Sequence, residues 1–377
     1  ALQTVTNQLE GSYALCITST DMPDQVIITK KDSPLVVGQS DEGTYGASDI
    51  PALLEYTKDV YFLEDYDIAV LKNDHVEFYN HELQPIQKEI TVIPYDSEAA
   101  KKDGYDTFML KEIHEQPHVI KETLRGRIND HSIVLDELDE VDFSKFNKAY
   151  FVACGTAYHA CLSGANILER LTKIPTICQV ASEFRYNEPT IDENTLCVFV
   201  SQSGETADTL AALRLAKQYN ATTIAIANVL GSTISRDAHY TIYTCAGPEI
   251  AVASTKAYTT QLVVLTLLAM YASQRLNKKV DLYDELIQDF NKLPELVENI
   301  LKDEKTFASY ASYLKDAHDA YFIGRSLDYA TVLEGALKLK EVSYVHADAY
   351  IAGELKHGPI ALIEPGSVLF AVASQPH

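Results

Sequence analysis

The sequence predicts an α/β protein: doubly wound parallel sheets of the flavodoxin-like kind, preceded by a β-rich unit. Three observations predict it. Short β-type runs crowd the first 94 residues, apolar strands then alternate with amphipathic helices, and the alternating part contains an internal repeat.

Taken in order, the runs GSYALCITST (11–20), QVIITKK (25–31), SPLVVGQ (33–39), DVYFLED (59–65), DIAVLKN (67–73) and HVEFYN (75–80) read as strands. Asp, Gly, Pro and Asn break them apart. A short helix is expected over Pro51–Tyr56. The polar stretch YDSEAAKKDGYD (95–106) reads as a linker. The expected division is a β-rich unit over 1–94, a linker over 95–107 and a first α/β unit with entry helices over 108–279. Connecting helices over 280–317 and a second α/β unit over 318–377 complete it. The longest apolar stretch, Leu262–Ala272, is shorter than the roughly 20 residues a bilayer requires and predicts a buried helix.

The repeat is legible in letters. KAYFVACG at 148–155 returns 171 residues later as DAYFIGRS at 319–326. At the same offset Gly164 and Ala165 match Gly335 and Ala336, and Ala181 and Glu183 match Ala352 and Glu354. VFVSQ (198–202) returns, two residues late, as the end of FAVASQ (370–375). The first copy then runs on through SGET, a helix, the strand TTIAIAN and a long helix, whereas the second reaches only SQ before His377. A fragment with an incomplete second unit is expected, because half a sheet leaves an unpaired edge.

Bulk properties narrow the chemistry. The chain has 377 residues, enough for two or three domains, and 46% of them are hydrophobic. A formal net charge of −23 argues against nucleic acid and against anionic membranes as partners. Small anions remain possible, since backbone amides at helix starts hold them. The six cysteines are scattered with no Cys-x-x-Cys pair, and the amino end carries no basic-then-apolar signal pattern. A reducing, cytoplasmic location is expected. HEQPH (114–118) matches the zinc pattern H-E-x-x-H by letter. That motif requires a continuous helix, and Pro117 argues for a helix boundary or loop there. No metal and no cofactor are expected.

The stretch VFVSQSGETADTLAALRLAK (198–217) carries the main functional signal. An apolar strand stops at Ser201. Gln202, Ser203, Gly204, Glu205 and Thr206 follow, and then a helix pattern begins. Strand, small polar loop and helix is the arrangement that aims backbone N–H groups at an anion. The loop has no Lys or Arg and no Gly-Lys-Ser/Thr ending, so it is not a nucleoside-triphosphate loop. A helix cap at Ser203 with polar neighbours is the alternative. CGTAYHA (154–160) repeats the strand-to-helix turn, and GPEIAVASTKAYTTQ (247–261) puts Ser254 and Thr255 before the long apolar helix. In a doubly wound sheet such loops converge on one crevice, so Thr156, Ser201, Ser203, Thr206 and Ser254 are expected to line it. Farther on, Glu334, Lys338 and Glu341 share one helix face, where a Lys can hold a carboxylate ionised. A solvated salt-bridge ladder has the same spacing. The first copy has Ser163, Ile167 and Arg170 at these positions, so the triplet belongs to the second copy alone.

SQSGETADTL, ASTKAYTTQ, ASEFRY, LEGALKLKEVSYVHADAY and AGELKHGP together resemble the isomerase half of the glutamine–fructose-6-phosphate aminotransferase family, with its two sugar-isomerase (SIS) domains. SPLVVG, ASD and FLEDYDIAVL resemble the later part of that family's amino-terminal-nucleophile glutaminase domain. The resemblance covers the whole chain. It implies transfer of the glutamine amide nitrogen to fructose 6-phosphate and isomerisation to glucosamine 6-phosphate, in a homodimer. It implies sugar-phosphate contacts from Thr156, Ser201, Gln202, Ser203 and Thr206, and sugar contacts from Val252 and Ser254. Glu341 would shuttle a proton between C1 and C2, with Lys338 supporting it. His357, reaching over from the neighbouring subunit, would assist ring opening, although a lone His at a loop start has a structural reading too. Ala157 stands where many relatives carry Ser. The family's nucleophilic amino-terminal cysteine and its carboxyl-terminal lysine have no counterpart here. The chain alone is therefore expected neither to hydrolyse glutamine nor to complete synthesis. A sugar-phosphate-binding regulator of the SIS type and a simple phosphosugar isomerase are the alternatives.

Overall fold

The computed structural model describes residues 2–93, 101–129, 131–278, 283–315 and 317–374. The first part of the expected linker, the junction near 280 and the last three residues lie outside them.

After a short helix α1 (Leu2–Thr6), the β-rich unit forms two antiparallel sheets. One has the order β1 (Tyr13–Ser19), β2 (Met22–Lys31), β6 (Ile68–Lys72), β7 (Val76–Tyr79), β8 (Pro85–Ile86). The other has the order β4 (Gly43–Ala47), β3 (Val36–Ser40), β5 (Asp59–Phe62), β9 (Thr91–Val92). Ile28 of β2, Val37 of β3 and Leu71 of β6 meet in one buried cluster, so the sheets share a core. Pro51–Tyr56 is not the expected helix. It is a run of turns in which Leu53 N–H reaches Ile50 O at 2.9 Å and Tyr56 N–H reaches Leu53 O at 2.9 Å. The six residues drop Leu53 and Leu54 into the core beside Ile50 on i→i−3 bonds, with a single i→i−4 bond, Thr57 N–H to Leu53 O at 2.9 Å, at the end of the run.

The HEQPH segment corrects a second expectation. Helix α2 (Phe108–Leu124) runs unbroken through Pro117. Proline cannot donate to the carbonyl of Ile113, four residues back. The Gln116 side chain does so instead, its amide donating to Ile113 O at 3.1 Å. Its Oε1 accepts from Thr259 Oγ1 at 2.5 Å, which ties α2 to the long buried helix behind it. His114 pairs with Glu304 at 3.0 Å and stacks on Tyr105. Among the described residues no cluster of His, Cys, Asp or Glu has a metal-binding arrangement. Pro117→Ala restores the missing backbone bond and is expected to stabilise the chain by about 1–2 kcal/mol in urea unfolding.

A small hairpin, β10 (Ile128–Asn129) and β11 (Ser132–Ile133), leads into the first parallel sheet. Its elements are β12 (Lys148–Ala153), α3 (Gly155–Thr172), β13 (Thr176–Val180), α4 (Ala181–Tyr186), β14 (Thr195–Ser201), α5 (Ala207–Gln218), β15 (Thr222–Ala227), α6 (Thr233–Asp237), β16 (Tyr240–Tyr243) and α7 (Lys256–Arg275). The order is β13-β12-β14-β15-β16 with every pair parallel, the flavodoxin-like 2-1-3-4-5 arrangement. Strand β14 is buried along all seven residues, as a central parallel strand covered on both faces must be. Helix α7 contains the long apolar stretch and is buried over most of its length. No helix among the described residues is long and apolar enough to cross a membrane.

Helices α8 (Tyr283–Leu301) and α9 (Glu304–Ala311) lead to the second copy. There β17 (Asp319–Gly324), α10 (Leu327–Ser343), β18 (His346–Ile351) and β19 (Val368–Ala371) form a parallel sheet of order β18-β17-β19, which is 2-1-3 again. The repeated Gly-Ala step has a packing reason. A Cβ on Gly164 would lie 2.9 Å from Leu265 Cβ, and one on Gly335 would lie 3.2 Å from the Phe322 ring. Each glycine lets its helix press close against a neighbour.

Candidate functional site

In a 2-1-3-4-5 sheet the connections after strands 1 and 3 leave on opposite faces, which opens a crevice at their carboxyl ends. A cavity of about 180 Å³ lies there, between the ends of β12 and β14. Thr156, Ser201, Gln202, Ser203, Thr206 and Ser254 all line it. Val252 and His357 do not: Val252 is fully exposed, and His357 sits in the exposed turn Leu355–His357.

The loop over Ser201–Thr206 is not merely a cap. The residue at the N-cap of α5 is Thr206, not Ser203, and its side chain makes no capping bond. Ser201 Oγ accepts from Gly204 N–H at 3.0 Å and lies 3.1 Å from Thr206 Oγ1, while Ser203 Oγ accepts from Glu205 N–H at 3.2 Å. These bonds curl the loop and leave the first turn of α5 without a side-chain acceptor. Helix α3, with Cys154 at its N-cap, makes no side-chain capping bond either. Two helix starts thus face one cavity, each carrying the partial positive charge of its dipole.

The third loop differs. Glu249 accepts from Ser254 Oγ at 2.7 Å, Thr255 N–H at 2.9 Å and Ala257 N–H at 3.1 Å. The start of α7 therefore already holds a carboxylate of its own. Glu112, reaching from α2, accepts from Ile250 N–H at 2.6 Å and Ala251 N–H at 3.0 Å. Its other oxygen is buried among the described residues with no partner, and burial pushes its carboxyl above the ordinary value near 4.5. A carboxyl whose folded value is raised stabilises the fold below its unfolded value and loses that contribution as pH climbs through the raised one. Glu112→Gln keeps an acceptor for both amides. It is expected to abolish this fall in stability above pH ~4.5, read from urea midpoints across pH 4–8.

The repeat supplies an internal contrast. Position 157 is Ala in the first copy, and its counterpart 171 residues on is Asp328, buried in the first turn of α10. Asp328 accepts from Ser374 N–H at 3.0 Å and from Ser374 Oγ at 2.5 Å. Ser374 is the serine of the second SQ pair. The second copy thus fills its own cradle with a carboxylate, whereas Ala157 leaves the first one open.

One member of the triplet on α10, Glu334, reaches the cavity wall through Thr156. Glu334, 5% exposed, accepts from Thr156 Oγ1 at 3.0 Å through Oε1 and lies 2.8 Å from His159 Nδ1 through Oε2. Lys338 Nζ is 3.5 Å from Glu334 and 2.5 Å from Glu341. Burial, and then the Glu334 charge, push the neighbouring Tyr258 hydroxyl far up, which keeps it a neutral phenol. Sequence spacing found the triplet but not its partners, because His159 and Glu334 lie on different copies of the repeat. Glu249 and Glu112 were missed too: their partners are mostly backbone N–H groups, which leave no mark in the side-chain pattern.

A second cavity, of about 360 Å³, adjoins the first and shares Gln202, Ser203 and Thr206 with it. Leu35, Ile50 and Phe62 of the β-rich unit wall its far side. Arg214 binds Asp32 at 3.2 Å and Asp65 at 3.6 Å, and Arg236 binds Glu64 at 3.2 Å, so ion pairs hold the β-rich unit over this opening.

A duplicated 2-1-3 sheet core with an uncharged cradle at its switch point defines the SIS-domain class, and the SIS domain family matches residues 142–271 and 313–377. More closely, the chain belongs to the glutamine–fructose-6-phosphate aminotransferase family. It is 49% identical to the glutamine–fructose-6-phosphate aminotransferase [isomerizing] of Caldanaerobacter subterraneus subsp. tengcongensis, over 100% of this chain and 62% of that protein. It is 50% identical to the Clostridium tetani protein of the same name, again over 100% of this chain and 62% of that one. The chain therefore spans about three fifths of the length of these curated relatives. Among solved structures, the C-terminal domain of the aminotransferase from Francisella tularensis superposes with a TM-score of 0.70 at 39% identity, covering 73% of this chain and 79% of that one.

Proposed function

We propose that this chain supplies the sugar-phosphate-handling part of an enzyme that moves the amide nitrogen of glutamine to fructose 6-phosphate and isomerises the product to glucosamine 6-phosphate. The enzyme acts in the cytoplasm as a homodimer. One observation carries the reading: two helix starts without side-chain caps, lined by Thr156, Ser201, Gln202, Ser203 and Thr206, face a cavity the size of a phosphate and part of a sugar. Backbone amides and hydroxyls suit a phosphate monoester, and Gln202 reaches sugar hydroxyls. Ser254 borders the sugar end, and Val252, exposed outside the cavity, contacts the sugar only where the ligand extends beyond it. The second unit supplies the acid–base groups. Glu341 takes a proton from one of C1 and C2 and returns it to the other, with Lys338 supporting it. His357 assists ring opening from the neighbouring subunit.

Calorimetric titration tests the phosphate half of the reading. Fructose 6-phosphate should bind and unphosphorylated fructose should not. Ala157→Asp should abolish binding by giving the first copy the internal carboxylate that the second copy already has. Equal heats with both sugars, or undiminished binding by the Ala157→Asp chain, would contradict it.

A further inference from the structure

Thr156 belongs to two assemblies at once. It lines the cavity, and its hydroxyl donates to Glu334 on the other copy of the repeat. A threonine hydroxyl carries one proton. A phosphate oxygen can only accept, so Thr156 cannot donate to a bound phosphate group while it donates to Glu334.

We infer that Glu334 is a positioning residue that couples the cradle to the Lys338–Glu341 pair by competing with the bound ligand for the single hydroxyl proton of Thr156. The inference rests on the cradle being a sugar-phosphate site. When a ligand draws the hydroxyl away, Oε1 of Glu334, a residue only 5% exposed, loses its donor. His159 at 2.8 Å on Oε2 keeps the carboxylate in place. The donor then in reach of Oε1 is Lys338 Nζ, 3.5 Å away and now held 2.5 Å from Glu341. Lys338 moves toward Glu334, and the Glu341 carboxylate is left open to take a proton. Ligand arrival on the first unit thus readies the base on the second. By linkage the coupling is reciprocal: whatever loosens Thr156 from Glu334 must tighten ligand binding.

The test is a double-mutant cycle on fructose 6-phosphate affinity, measured by calorimetry on the whole chain. Glu334→Met removes the competing acceptor and should tighten binding about threefold to tenfold, the span of one ordinary hydrogen bond. The gain should vanish when Thr156→Val is the background. A gain that persists in that background reflects relief of charge repulsion and overturns the inference, as does no gain at all. A second readout does not depend on the folding of Glu334→Met. In the wild-type chain with nitrogen-15-labelled histidine, fructose 6-phosphate should shift the His159 ring resonances, although His159 does not line the cavity; Thr156→Val should suppress that shift. Unmoved His159 resonances in a chain that binds the sugar phosphate overturn the inference alone. A wild-type chain that binds no sugar phosphate overturns the sugar-phosphate reading first and the inference with it.

Discussion

Replacing Glu341 by Gln in the catalytically complete protein is expected to lower turnover by about 10²–10⁴-fold while fructose 6-phosphate affinity stays within about twofold, the usual signature of losing a positioned general base. The Glu341 carboxylate lies 2.5 Å from Lys338 Nζ on the same helix face, and a carboxamide of the same shape cannot accept the proton. Glu341 does not line the cavity, so its loss leaves the phosphate contacts in place. Steady-state kinetics with a direct binding measurement separates the two quantities. A matching loss of affinity would place Glu341 among the binding contacts, and unchanged turnover would remove it from the chemistry.

The second large effect concerns the loop itself. Gly204 has φ +71°, and a Cβ there would stand 2.2 Å from Ser232 Oγ and 2.5 Å from Ser232 Cβ. Gly204→Val therefore combines a left-handed backbone that a β-branched residue resists with an overlap in a buried place. Backbone strain and overpacking together predict a loss of about 2–5 kcal/mol. The loop cannot shift to relieve it cheaply, because Gly204 N–H is bound to Ser201 Oγ at 3.0 Å and Gly204 O receives Ile234 N–H at 3.0 Å. Urea unfolding should show the lower midpoint, and sugar-phosphate binding should be lost even where the chain remains folded. A folded Gly204→Val chain with undiminished binding would mean the loop conformation is not what makes the site.

Much of this architecture was legible in the sequence because it rests on patterns that repeat. The 171-residue offset corresponds to two sheets with the same 2-1-3 order, and the alternation of apolar strands with helices corresponds to parallel pairing. Six of the strands in the β-rich unit follow runs of apolar and β-branched residues. Strand β4, GTYGA, does not: two of its five residues are glycine, and it forms only because β3 offers it an edge. Pro117 shows how a sound local rule fails. The proline removes one donor, and the residue before it supplies another. At the site, the serines and threonines of the cradle could be read from the strand-to-helix turns that carry them. The carboxylates that hold the loops could not. Glu112 finds its amides 138 and 139 residues away, and Glu334 finds His159 at a separation of 175. Neither distance has a local signature.

The central claim is that uncapped helix starts of the first parallel sheet hold the phosphate of a sugar phosphate. An amide chemical-shift map of the chain titrated with fructose 6-phosphate tests it most directly. The account predicts saturable shifts at Gly155, Thr156 and Gln202–Thr206, with Asp328 and Ser374 of the second copy unmoved. Shifts centred on the second copy, or none between Ser201 and Thr206, would contradict it.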